Sequence, residues 1–243
     1  LVFLHGLADR AATWSLVLPL LRRLGPLLAP DLSGFGMSPP PPDRRAALIG
    51  DHVRTVTALL AQECRRPAVL IGSSMGGWIA ARVAAERPDL VAGLILLDPG
   101  GAALNGLRSW VPFLRSVLLE DRAARRRTLA AIYAHVPLPL AVNPDFLTDL
   151  FHQANVLDLL LQLKPADLLQ PEELARITAP TQLIWGAEDR LLPAGSALYF
   201  AQSIGGATTV ELPNCGHLPQ QEHPFRTARM IRSFVADLVE KEG

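Results

Sequence analysis

Short apolar runs alternate along the chain with longer stretches in which apolar residues recur every three or four positions. The runs at Leu1–His5, Pro26–Asp31, Ala68–Ser73, Ala92–Asp98, Thr181–Trp185 and Thr208–Leu212 are strand-sized. Most are continuous rather than alternating, the pattern of strands buried on both faces of a sheet. Between them the helical period predicts helices over Trp14–Leu24, Leu48–Glu63, Gly76–Arg87, Ala194–Ser203 and Pro224–Val239. Strand–helix repetition of this kind builds an α/β fold, a mostly parallel sheet with helices on both faces. Prolines fall in the gaps or at element edges, except Pro19, which predicts a kink or a late start for the first helix.

From Gly101 to Arg176 the alternation stops and only helical patterns remain, over Leu104–Leu119, Asp121–His135, Pro144–Lys164 and a short turn at Pro171–Arg176. The expected organisation is therefore a core of residues 1–100 and 177–243, with residues 101–176 inserted as a helical cap. Such an insertion belongs over the C-terminal ends of the strands, where parallel sheets place their sites. The run Val156–Leu163 is apolar almost all round a helix, so it must bury more than one face. One face can pack on the core while another, with Leu160, lines a cavity. Trp110, Phe113, Leu114, Phe146 and Leu218 are further candidate wall residues. The arginines at 122, 125, 126 and 127 read as a solvated helix face, with contact to an anionic group as the alternative.

Charge and composition narrow the function. Twenty-three basic and 23 acidic side chains cancel among 243 residues, so no long-range field exists to gather nucleic acid. An apolar content of 49% is too high for disorder. No apolar run reaches the roughly 18 residues of a membrane span. Two cysteines, Cys64 and Cys215, cannot build a disulfide framework; they fit a reducing, cytoplasmic setting.

Gly72-Ser73-Ser74-Met75-Gly76 is a G-x-S-x-G sequence between a strand and a helix. That context makes a sharp turn that lifts the Ser74 hydroxyl out of the backbone. A serine hydroxyl needs a base, and the base needs an orienting acid. His217, just after the last strand, is the candidate base. Asp189, just after the Thr181–Trp185 strand, is the candidate acid, with Asp98 as its rival and Glu188 expected to point elsewhere. His5 is expected to shape its loop, and His52, His135, His152 and His223 to hold bland positions. The backbone N–H groups of Met75 and Leu7 are the candidate oxyanion donors. No motif implies a cofactor or a metal.

With these residues in view, the chain resembles the α/β-hydrolase superfamily. The resemblance rests on Leu4-His5-Gly6, Asp31–Ser38, Gly72–Gly77, Trp185–Asp189 and Gly216-His217, and it covers essentially everything outside the cap. Residues Pro180–Gly186, Asn214–His217 and Glu222-His223-Pro224 resemble serine lipases and esterases of the monoacylglycerol-lipase type. That implies cleavage of a small, apolar carboxylic ester through an acyl-enzyme. C–C bond hydrolases of aromatic ring-cleavage products are the alternative, weakened because Ser73 and Leu218 stand where those enzymes usually carry Asn and Trp. A receptor on the same fold, with little or no turnover, is the non-enzyme alternative. Haloalkane dehalogenases and epoxide hydrolases use Asp at the elbow, which Ser74 argues against. Family members also carry two strands ahead of the His-Gly strand. Their absence here leads to the expectation of a truncated chain with Pro26–Asp31 as an open edge.

Overall fold

Five parallel strands lie side by side in chain order among the described residues: β1 (Val2–Leu4), β2 (Ala68–Ser73), β3 (Val91–Leu97), β4 (Thr181–Gly186) and β5 (Thr208–Leu212). The computed structural model describes the chain apart from residues 44–45, 112–121, 144, 146–150, 152 and 243. Val2 stands opposite Leu70, Leu70 opposite Leu94, Leu94 opposite Thr181, and Gln182 opposite Thr208. Strand geometry sends successive side chains to opposite faces. Val2, Leu4, Leu70, Leu94, Leu96 and Leu183 therefore enter one apolar cluster, with residues of α1 (Ile49–Glu63) and α2 (Met75–Glu86). Phe3, Ile71, Ile95, Leu97 and Ile184 enter a second cluster with Trp14, Leu21 and residues of the C-terminal helix Pro224–Glu242.

Two expectations change at the sheet edges. Pro26–Asp31 makes a single bridge, Leu28 to Val2, instead of a strand. The Phe3 N–H donates to Leu28 O at 2.8 Å and the Leu28 N–H to Leu1 O at 2.9 Å. Pro26 and Pro30 flank this bridge and have no N–H to extend the ladder. At the other edge β5 is not buried on both faces: Thr208, Thr209 and Glu211 are exposed. The stretch Trp14–Leu24 is also broken, into a 3₁₀ turn at Ala11–Trp14 and one α-turn at Leu18–Leu21. Pro19 occupies the first turn of the latter, where its missing N–H costs nothing.

Between β3 and β4 the described residues form a 3₁₀ turn at Gly106–Trp110, then α3 (Arg122–Ile132), a turn of helix at Leu138–Val142, α4 (Ala154–Gln162) and short turns at Pro165–Asp167 and Pro171–Leu174. The helix expected over Pro144–Lys164 is interrupted at Gln153, whose backbone is extended, and α4 runs from Ala154 to Gln162; most of the stretch before Gln153 lies outside the described residues. The Leu138–Val142 helix was not predicted; its prolines at 137 and 139 suit a helix start. Of the arginine cluster, Arg125 pairs with Asp145 at 2.8 Å. The two ends of the segment are joined to each other by an Ala102–Leu169 bridge, and tied to the core by Trp78 Nε1 donating to Asp167 O at 2.9 Å. No helix among the described residues is long and apolar enough to cross a membrane.

The same seam holds a buried ion pair. Arg82 of α2 meets Glu173 through two bonds, Nε to Oε1 at 2.6 Å and an Nη to Oε2 at 3.1 Å, and donates to Leu168 O at 3.2 Å. Glu173→Ala leaves that guanidinium buried and half-paired. We expect a loss of about 3 kcal/mol, the lower end for orphaning a buried charge, read as a lowered urea midpoint at unchanged m. An unchanged midpoint would show that the pair contributes nothing.

Candidate active site

The turn from β2 into α2 places Ser74 in a conformation other residues avoid, φ 54° and ψ −118°. Such a backbone costs about 1–3 kcal/mol and persists only where its surroundings enforce it. Here they do: the Ser74 N–H donates to Leu97 O at 2.9 Å, and Ser74 O accepts from Gly100 at 2.9 Å and Trp78 at 3.0 Å. The flanking glycines are required by space. A Cβ on Gly72 would lie 2.4 Å from Gly76 O, and one on Gly76 would lie 2.3 Å from Leu4 O.

Ser74 Oγ lies 2.8 Å from His217 Nε2, and His217 Nδ1 lies 2.9 Å from Asp189 Oδ2. An ionised carboxylate only accepts, so Nδ1 carries the imidazole proton and Nε2 is left to accept from the serine. Both the His217 and the Asp189 side chains are almost fully buried. Burial pushes the Asp189 carboxyl up, but His217 beside it and the N–H groups of Leu191 and Leu192 hold it below the usual range overall. The loops carrying acid and base rest on one feature of the inserted segment. At the end of α3, Ala131 O accepts from the Arg190 N–H at 3.1 Å and Ile132 O from the His217 N–H at 2.6 Å. These carbonyls have no partner within their own helix, so the two loops complete it.

The competing residues are held elsewhere. Glu188 accepts from the Asn214 and Cys215 N–H groups, and so points away as expected. His5 accepts from the Leu32 N–H at Nε2 and faces Gly6 O with Nδ1, fastening its loop. His52 is buried, and burial with His5 nearby lowers its pKa to about 4. His223 contacts Asn214 O, and His135 lines an outer cavity. His152, Phe113, Leu114 and Phe146 lie outside the described residues. Asp98 is fully buried, with Oδ1 accepting from the Gly186 N–H at 2.9 Å. One donor atom each of Asp98, Asp189 and His217 lie within 4.8 Å of one another. Both imidazole nitrogens already face Asp189 and Ser74, so this group suits proton transfer better than metal ligation.

Ser74 opens on two arms, both lined by Leu7 and Leu191. One arm is apolar: Met75, Trp78, Trp110, Leu159, Leu160, Leu163 and Leu192 surround it. Trp78 and Trp110 stack there with centroids 5.9 Å apart. The other arm contains His217, Leu218, Phe151, Asp9, Tyr133 and Gln221. Tyr133 donates its hydroxyl to Gln221 Oε1 at 3.1 Å, and Gln221 Nε2 donates to Thr13 at 2.9 Å. Asp9, Tyr133 and Gln221 also line outer cavities of about 540 and 520 Å³. Of the candidate wall residues, Trp110 and Leu160 line the first arm and Leu218 the second. Asp9, Tyr133, Gln221 and Trp78 were missed. Asp9 sits three residues after Gly6, and Gln221 four after His217, so nearness to a motif was the available signal.

The family model described as the alpha/beta hydrolase family matches residues 1–230. The 2-hydroxymuconate semialdehyde hydrolase of Pseudomonas sp. (strain CF600) is 30% identical over 98% of this chain and 87% of its own length. Monoacylglycerol lipase ABHD6 of Rattus norvegicus is 26% identical over 98% of this chain and 75% of its own. Among solved structures, a membrane phospholipase A described as a bacterial virulence factor superposes with a TM-score of 0.80 at 27% identity, covering 98% of this chain and 78% of that one.

Proposed function

The chain belongs to the α/β-hydrolase family, and from that premise we propose that it is a serine hydrolase cleaving carboxylic esters with an apolar acyl part. One observation carries the reading: the hydrogen-bonded series Asp189–His217–Ser74, with steps of 2.9 and 2.8 Å, beside an apolar arm. In this mechanism His217 takes the Ser74 proton as Oγ attacks the ester carbonyl, and Asp189 steadies the imidazolium. The N–H groups of Leu7 and Met75 receive the oxyanion. Their placement supports the role, since both residues line the arm beside Ser74, and Met75 opens α2, where its N–H has no helical partner. His217 then gives its proton to the departing alcohol, and water releases the acyl group by the same base.

The geometry also supports an orientation. The alcohol must leave next to His217, which lines only the arm with Asp9, Tyr133 and Gln221. The acyl chain then occupies the arm between Trp110 and Leu160, with the Gly106–Trp110 turn and α4 of the inserted segment acting as its cap. C–C bond hydrolysis of ring-cleavage products is the second reading, favoured by the 30% identity to the semialdehyde hydrolase. It fits less well, because among the described residues the apolar arm offers no charged side chain to a polar, charged substrate.

A panel of p-nitrophenyl esters of rising chain length tests the proposal. The expected optimum lies above acetate. Absence of ester turnover, together with cleavage of a vinylogous diketone, would replace the ester reading with the second one. Narrowing the arm by Leu160→Trp is expected to lower the ratio of long-chain to acetyl turnover by roughly tenfold or more, as fits a pocket worth 1–3 kcal/mol per methylene. An unchanged ratio would remove the acyl chain from this arm.

A further inference from the structure

The mechanism above leaves one buried titratable group unused. Asp98 directly follows β3, its side chain fully buried and its backbone at φ 41°, a left-handed conformation rare outside glycine and seen mainly in Asn and Asp. Oδ1 accepts from the Gly186 N–H, whereas Oδ2 is buried with no hydrogen-bond donor to meet it. A carboxylate oxygen placed so would be desolvated and uncompensated. The groups facing Asp98 make ionisation worse. Asp189 and Glu222 add negative charge, and the buried Cys215 thiol, itself pushed up by burial and the surrounding acids, adds no cation. His217 is nearby, but its proton-bearing nitrogen already faces Asp189. Burial and the Asp189 charge accordingly raise the Asp98 carboxyl well above its ordinary range. A carboxyl kept neutral has an O–H to donate, and Asp189, with a carboxylate oxygen within 4.8 Å of one of Asp98, is the acceptor beside it.

We propose that Asp98 is a positioning residue: as the neutral acid it donates a hydrogen bond to the Asp189 carboxylate and holds that acid, and through it His217, in register with Ser74. The proton stays on Asp98 throughout turnover. By drawing charge from Asp189, the bond moderates how strongly that carboxylate favours the imidazolium. Sequence order alone set Asp98 and Asp189 as rivals for one role; the geometry gives them two roles.

The kinetic consequence rests on the ester-hydrolase reading, so the test has an arm that does not. Infrared spectroscopy of the wild-type chain at neutral pH should show the C=O band of a buried protonated carboxyl, and Asp98→Asn should lack it. Absence of the band from the wild type, or its persistence in the variant, overturns the proposal whether or not any ester is cleaved. In the kinetic arm, Asp98→Ala removes the donor. Its kcat/KM at pH 6 should fall roughly ten- to hundredfold, mostly in kcat. The acidic limb of its profile should move up by about half to one pH unit, because an Asp189 carboxylate without its donor favours the imidazolium more strongly. Asp98→Asn keeps a donor and tolerates the left-handed backbone, so it should recover most of that loss and restore the limb. Equal behaviour of the two variants, or a limb that stays put in both, sinks the positioning role. Should Asp98→Ala fail to fold, the infrared comparison still decides.

Discussion

Ser74→Ala is expected to reduce ester turnover by roughly 10⁴- to 10⁶-fold, the range seen when the nucleophile of a serine–histidine–acid unit is removed. The chemistry explains the size. Without Oγ no acyl-enzyme forms, so His217 has nothing to activate except water, and that water is not held against the carbonyl. The fold should not notice the change. Ser and Ala share the Cβ that the turn must accommodate, and the bonds fixing φ at 54° come from the backbone of Leu97, Gly100 and Trp78. The thermal midpoint should therefore stay within a few degrees. A variant that keeps turnover would remove Ser74 from the mechanism, and one that unfolds would show that Oγ is structural.

Gly186→Ala is expected to be the most damaging single methyl group in the core. A Cβ there would lie 1.8 Å from Gly216 O, 2.6 Å from Cys215 O and 2.7 Å from Gly216 C. All three are backbone atoms, so no rotamer change relieves the clash. Gly186 ends β4 three residues before Asp189, and Gly216 precedes His217, so relief must part the loops that carry the acid and the base. Overpacking usually costs 1–3 kcal/mol; with rigid partners on three sides we expect more than about 4 kcal/mol. For a chain of this size that lowers the midpoint by about 8 °C or more. Calorimetry of the purified variant checks the stability, and loss of kcat at temperatures where it remains folded checks the displacement. A midpoint within two degrees of the wild type would mean the loops separate freely.

The elements that could be read from the sequence are those whose cause is local. Ala68–Ser73 and Thr208–Leu212 match their strands because apolar or β-branched runs there meet clear turn signals on both sides. Ser74 was legible because the glycines at 72 and 76 answer a steric demand within one turn. Asp189 and His217 were legible because strand ends deliver loops to one edge of a parallel sheet. Pro26–Asp31 misled because its apolar pattern ignores how few N–H groups its prolines leave. Asp9, Tyr133 and Gln221 come from three separate parts of the chain and meet only through packing, so nearness to a motif hints at Asp9 and Gln221 but nothing along the chain announces the group. The neutral state of Asp98 is likewise invisible in one dimension, since it depends on the distance to a carboxylate 91 positions away.

The end of α3 ties the acid loop to the base loop. Ala131 and Ile132 lend their carbonyls to the Arg190 and His217 backbones, so one helix end is the bench on which acid and base are aligned. A displacement of α3 would break both bonds in one movement. Acid and base therefore share a single mooring, and what disturbs one loop at that point disturbs the other.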